Sequence, residues 1–161
     1  YWSFLGSLYT KMDGLPLAEL MAEEAFSTAI ALDPADHRAR LLLSELFYSQ
    51  GNYAMSLDQL ETIVTQNSKT AAPSLLFVML NAYLLDHQQD RGISFFKNLV
   101  KTRPWDANPR FLLAILLNEQ GETDAAIEEL RKVIVRSGVS RENRLYARQL
   151  IDSWNQRTVK K

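Results

Sequence analysis

Trp2-Ser-Phe-Leu5-Gly6-Ser-Leu-Tyr9, followed by Ala22-x3-Phe26, Ala29 and Pro34, is the stretch that decides the fold. Leu5 with Tyr9, and Ala22 with Phe26, stand four residues apart, the spacing that puts two side chains on one helix face. The same register recurs down the chain. Leu43, Met79 and Leu113 are the equivalents of Leu5, and Phe47, Tyr83 and Leu117 those of Tyr9. Ser56, Gly92 and Ala126 stand where Ala22 does, and Leu60, Phe96 and Leu130 where Phe26 does. The repeats end at Pro34, Ser68, Pro104 and Gly138. The first helices recur at offsets of 38, 36 and 34 residues, so extra residues fall around Asp13–Leu17 and Ser68–Ala72. A period of this length marks supersecondary units that bury their apolar faces only by stacking.

The letters follow from helix contact. Two antiparallel helices approach closely only where a small side chain faces the partner. Gly6, Ser44 and Ala114 supply it on the first helices, while the third repeat carries Leu80 there and Gly92 on its second helix. Leu80 is therefore expected to fill the space that Gly92 leaves. Gly51 and Gly121 lie in the turns within hairpins, where a positive φ is expected. Pro34, Pro104 and Pro109 punctuate the boundaries between hairpins. The last segment, roughly Ser140–Arg157, reads as a single helix capped by Ser140, with Tyr146, Ala147, Leu150, Ile151 and Trp154 along one face. A repeat stack needs a terminal element with a polar outer side, and this helix fits that part.

Composition agrees. A chain of 161 residues, 47% hydrophobic and 23% charged, has the makings of an ordered fold. Six Gly and five Pro are too few for the turns of a β-sandwich. The lack of cysteine removes disulfides, cysteine metal sites and thiol catalysis. The longest apolar run, Leu75–Leu80, is too short to span a bilayer. The start at Tyr1 without Met reads as an excised fragment, whose anchor or targeting segment would lie outside it. Charge is unevenly placed: residues 1–130 hold 9 basic and 17 acidic side chains, residues 131–161 hold 9 and 2. That is an acidic body with a basic end, unlike the basic face of a nucleic-acid binder.

The quoted residues resemble the tetratricopeptide repeat, with its pattern W-x2-L-G-x2-Y, A-x3-F and P, over residues 1–138. The resemblance implies an all-α, TPR-type α-solenoid. Its four helix-turn-helix repeats would span 1–34, 35–70, 71–104 and 105–138, with a capping helix and basic tail over 139–161. In this family the concave stripe of the first helices commonly binds peptides. Residues five and two before, and two and five after, the Leu43 register point away from the paired helix. They are Arg38, Leu41, Glu45 and Tyr48; Ser74, Phe77, Asn81 and Leu84; and Asn108, Phe111, Ile115 and Asn118, with Ser3, Ser7 and Thr10 in the first repeat. Phe77, Leu84, Phe111 and Ile115 would take apolar ligand side chains. Asn81 and Asn118 would bond a peptide backbone, since an amide both donates and accepts. The competing reading is that the stripe packs against neighbouring helices or the cap. The stripe has Arg38 and Asn81 but no Lys, so the family's clamp for terminal carboxylates is not expected.

A narrower resemblance covers Tyr9 to Tyr53, through Asp13-Gly-Leu-Pro, Ala25-Phe-x2-Ala29-x-Ala-Leu-Asp-Pro34 and Phe47-x3-Gly51-x-Tyr53. This looks like the TPR subunits of bacterial cytochrome c maturation, which are periplasmic and hold apocytochrome c. Outside that resemblance the expected compartment is cytoplasmic.

No catalytic constellation stands out, and no cofactor, metal or small-molecule substrate is expected. His37 and His87 lack metal-ligand spacing. Glu23-Glu24 and Glu128-Glu129 read as solvated faces. Arg141, Arg144 and Arg148 make a stripe on the last helix. It reads either as a site for an anionic partner or as the polar side of a cap, with Arg148 paired to Asp152. No aromatic interleaves with the arginines, so nucleic acid is not expected. The functional expectation is a non-catalytic scaffold for a protein or peptide, the alternatives being a homo-oligomeric assembly module or an adaptor for anionic partners. Membrane association would need a segment outside this chain.

Overall fold

The computed structural model describes residues 1–12, 17–66 and 72–158. The described residues hold nine α-helices and no strand. They form two compact units, Tyr1–Ala71 and Ala72–Lys161. Of the stretches read as extra length around Asp13–Leu17 and Ser68–Ala72, residues 13–16 and 68–71 lie outside the described residues.

The first unit has two hairpins, α1 (Trp2–Tyr9) with α2 (Ala18–Leu32) and α3 (His37–Ser49) with α4 (Tyr53–Gln66). Helix α3 lies against both α1 and α2. The core follows the small-plus-bulky register: Ala22, Phe26, Leu43, Leu46 and Phe47 cluster, with Tyr9, Ile30 and Leu42 against them. Gly6 is what lets α1 close on α2, because a Cβ there would stand 2.6 Å from Cδ1 of the Phe26 ring. At the next crossing Ser44 and Ser56 are both buried, and the Ser56 hydroxyl donates to the Ser44 carbonyl at 2.9 Å. The hydroxyl thus meets a helix-crossing acceptor without leaving a polar group unpaired in the core.

The second unit has α5 (Pro73–Leu85) with α6 (Gln89–Thr102), α7 (Asn108–Glu119) with α8 (Thr123–Val135), and then α9 (Arg141–Thr158). Helix α7 lies against α5 and α6, and α9 against α8. Pro73 and Pro109 sit in the first turns of α5 and α7, where a missing N–H costs nothing. Gly92 does open a close approach, and the side chains nearest to it are Tyr83 and Leu116 rather than Leu80. A Cβ at Gly92 would lie 2.6 Å from Leu116 Cδ1 and 2.8 Å from Tyr83 ring carbons, so Tyr83 of the paired helix and Leu116 of the next hairpin fill that space.

The turns within hairpins share one geometry. Gly51, His87 and Gly121 all have positive φ (74°, 54° and 86°). In each, the following N–H reaches back to a carbonyl in the last helical turn: Asn52 to Phe47, Gln88 to Tyr83, Glu122 to Leu117, at 2.8–2.9 Å. That is the left-handed helix stop which favours glycine, and His87 adopts it without one. Ser140 caps α9 as expected, accepting the Asn143 N–H at 3.1 Å.

Candidate functional site

The turn that launches α3 reads Asp33-Pro-Ala-Asp36, and the one before α7 reads Arg103-Pro-Trp-Asp106. Asp36 is the N-cap of α3; its carboxylate accepts the Ala39 N–H at 2.8 Å and the Ser3 hydroxyl at 2.6 Å. The Ser3 hydroxyl, the Ala39 N–H and the charge of Arg38 together hold the Asp36 carboxyl below the usual range, against the opposing effect of partial burial. Ser3 is thereby spent on structure. Ser7 and Thr10 likewise turn their hydroxyls to the carbonyls of Ser3 and Ser7.

In the first unit the outward stripe is therefore α3 alone. Arg38, Leu41 and Glu45 are exposed, and Tyr48 is half-buried with its ring edge-on to Tyr53 at 5.1 Å. In the second unit α5 and α7 lie side by side. Phe77 is 46% exposed, Ser74 and Asn81 are exposed, and Leu84 and Ile115 are half-buried. Helix α5 has no charged residue, so this apolar strip carries one amide, Asn81, and no ion.

The α7 half departs from expectation. Phe111 is only 5% exposed, because Tyr146 of α9 lies over it with ring centroids 5.5 Å apart. An anchor predicted to be free is thus covered by the chain's own terminal helix. Asn118 accepts from the Thr123 hydroxyl at 3.2 Å, and Asn108 donates to Asp106 at 2.9 Å. Phe77, Asn81, Leu84 and Ile115 remain available in this unit.

The arginine stripe also divides. Arg141 and Arg148 are exposed, and Arg148 makes no ion pair with Asp152. Arg144 is tied down, donating to the Arg136 carbonyl at 3.2 Å. Glu129 is not a solvated residue: it is half-buried and paired with Arg110 at 2.7 Å and Lys132 at 2.6 Å. Arg40 makes the equivalent tie to Gln59 at 3.0 Å. The signal was in the sequence. Arg40, Arg110 and Arg144 each stand six residues after Pro34, Pro104 and Gly138, a recurrence that an apolar register passes over.

Paired helices, small residues at each crossing, left-handed stops in the turns and a closing helix define an all-α protein of helical-hairpin repeats. Residues 22–72 match the tetratricopeptide repeat family. Solved structures agree with the fold. MamA AMB-1 is 19% identical with a TM-score of 0.58, covering 89% of this chain and 76% of that one. MamA from Desulfovibrio magneticus RS-1 is 18% identical with a TM-score of 0.52, over 81% and 71%. YrrB, described as a TPR protein with an unusual peptide-binding site, is 14% identical with a TM-score of 0.54, over 96% and 76%. No curated protein matches the chain in sequence. Neither the family match nor these structures carries the narrower likeness to the cytochrome c maturation subunits.

Proposed function

We propose that the chain is a non-catalytic scaffold that holds a peptide or helix of a partner protein along the outward stripe of its first helices. The observation that carries this reading is α5: an uncharged helix that leaves Phe77 46% exposed, beside Asn81 and above half-buried Leu84 and Ile115. An apolar strip with one amide suits a ligand that buries one or two apolar side chains and offers its backbone to the amide. Each buried anchor contributes about 1.5–3 kcal/mol. In the first unit, Arg38, Leu41, Glu45 and Tyr48 offer a more polar stripe of the same kind. A peptide-binding relative of the same fold, YrrB, supports the class of ligand.

The test is peptide selection from a displayed library, followed by titration against the Phe77→Glu and Asn81→Ala variants. Both side chains are exposed, so the variants keep the helical circular dichroism of the parent. Loss of affinity by about tenfold or more in the Phe77→Glu variant supports the reading. Equal binding by parent and both variants sinks it.

A further inference from the structure

Tyr146 lies over Phe111, yet it is itself 45% exposed, so the aromatic lost from the α7 part of the stripe is replaced by one from α9. The ring contact also places α9 beside α7, as α7 lies beside α5. The repeat register then runs on. Leu145 stands 34 residues after Phe111, which stands 34 after Phe77, and Gln149 follows Ile115 and Asn81 at the same steps. Leu145 is 54% exposed, and Gln149 is exposed. On α3 and α5, each packed with its own second helix, the same register position is open too, at Leu41 and Phe77. The exposure of Leu145 is thus a property of the stripe, and α9 repeats the pairing of an apolar side chain with an amide seen on α5.

Charge separates the two ends of this stripe. Helix α5 has no charged side chain, whereas α9 carries four arginines against Glu142 and Asp152. Arg141 stands four residues before Leu145 and Arg148 three after, the spacings that set them around it on the helix surface, and both are exposed. An apolar site bordered by guanidinium groups suits an apolar side chain with a carboxylate beside it, because a carboxylate takes two N–H bonds from one arginine. Packed helices are about 10 Å apart, so Phe77 to Leu145 spans about 20 Å, or about six residues of extended peptide. Granted that the stripe binds peptide, as proposed above, we propose that its ligand is an extended peptide with an acidic end. One apolar side chain lies on Phe77. A second, about six residues along, lies against Leu145 and Tyr146, with an Asp or Glu beside it paired to Arg141 and Arg148. Gln149 bonds the ligand backbone as Asn81 does at the uncharged end.

Random peptides of about twelve residues, about twice that span, are displayed and selected on the 161-residue chain. The pool is expected to be enriched in sequences with Asp or Glu next to an apolar residue. One such peptide is then titrated by fluorescence anisotropy, beside a copy whose acidic residues are changed to Asn or Gln. The Leu145→Ser variant and the Arg141→Gln, Arg148→Gln double variant are expected to keep the parent's helical circular dichroism, since all three side chains are exposed. Each is expected to bind the acidic peptide about tenfold more weakly than the parent. The neutral copy is expected to bind the parent and the double variant within about twofold of each other. Raising salt from about 50 to about 300 mM is expected to weaken the acidic peptide about threefold on the parent and to leave the double variant unchanged. Peptides held through Phe77 but without acidic enrichment, and indifferent to the Leu145 and arginine changes, overturn the inference and leave the Phe77 stripe standing. A pool in which nothing binds overturns both. An arginine loss that is equal for the acidic peptide and its neutral copy overturns the pairing. Tighter binding, through the same arginines, of phosphatidylserine vesicles or of a single-stranded RNA of about 20 nucleotides also overturns it, in favour of a membrane or nucleic-acid surface.

Discussion

At Gly92 two small effects oppose each other, and their sizes decide the outcome. Alanine is the better helix former by about 1 kcal/mol. Its methyl would stand 2.6 Å from Leu116 and 2.8 Å from the Tyr83 ring, an overlap costing about 1–3 kcal/mol in a filled core. Gly92→Ala is expected to lower stability in urea denaturation despite its helix propensity. At His87 the balance runs the other way, because the residue is in the left-handed region and exposed. His87→Gly is expected to raise stability by about 1 kcal/mol, seen as a higher melting temperature. Asp36 adds a pH dependence. Its carboxyl is held below the ordinary value near 3.9, so its contribution is present above that pH and is lost as pH falls through the lowered value. Asp36→Ala is expected to cost about 1 kcal/mol at neutral pH. That cost shrinks towards zero at the acid end of the same titration, followed by circular dichroism.

Single helices show how much the chain announced. The pairing of α1 with α2 and α7 with α8 was legible because Ala22 and Ala126 sit four residues before Phe26 and Leu130, while Gly6 and Ala114 supply the small residue on the first helices. The stops at Gly51 and Gly121 were legible because only glycine enters that backbone region freely. His87 was not, since local sequence alone does not demand a left-handed residue there; the alignment of the three turns does. Phe111 was misjudged for a different reason. Its register position points outward from α7, and only the placement of α9 puts Tyr146 over it. Which outward residue a terminal helix will cover is a long-range fact, absent from any window of periodicity. The arginines were missed because they work through polar ties rather than apolar spacing. Arg110 and Glu129 are each about five-sixths buried. Arg110→Ala is expected to destabilise by more than Arg131→Ala. The former leaves a largely buried carboxylate with Lys132 as its one remaining ion-pair partner, while the Arg131–Glu128 pair is exposed and contributes about 0–1 kcal/mol. Parallel denaturant titrations of the two variants measure the difference.

For the molecule as a whole, stability in a repeat protein is a sum of hairpin and neighbour terms rather than one indivisible core. Each compact unit here holds two hairpins, and α9 closes the second by burying Ala147 and Trp154. A fragment of residues 72–161 is therefore expected to fold alone, with helical circular dichroism and a cooperative thermal transition. The same fragment ending at Arg136 loses the closing helix. It is expected to bind an apolar dye and to aggregate, as light scattering would show.

Arg148 carries one more consequence. Counting from Ala114 by the repeat period, it stands in the slot that Gly6, Ser44 and Ala114 fill with little or no side chain. In the paired hairpins that slot faces a companion helix, and in α9 Arg148 stands there exposed, so a helix grafted to pair with α9 is expected to pack more closely on the Arg148→Ala variant than on the parent.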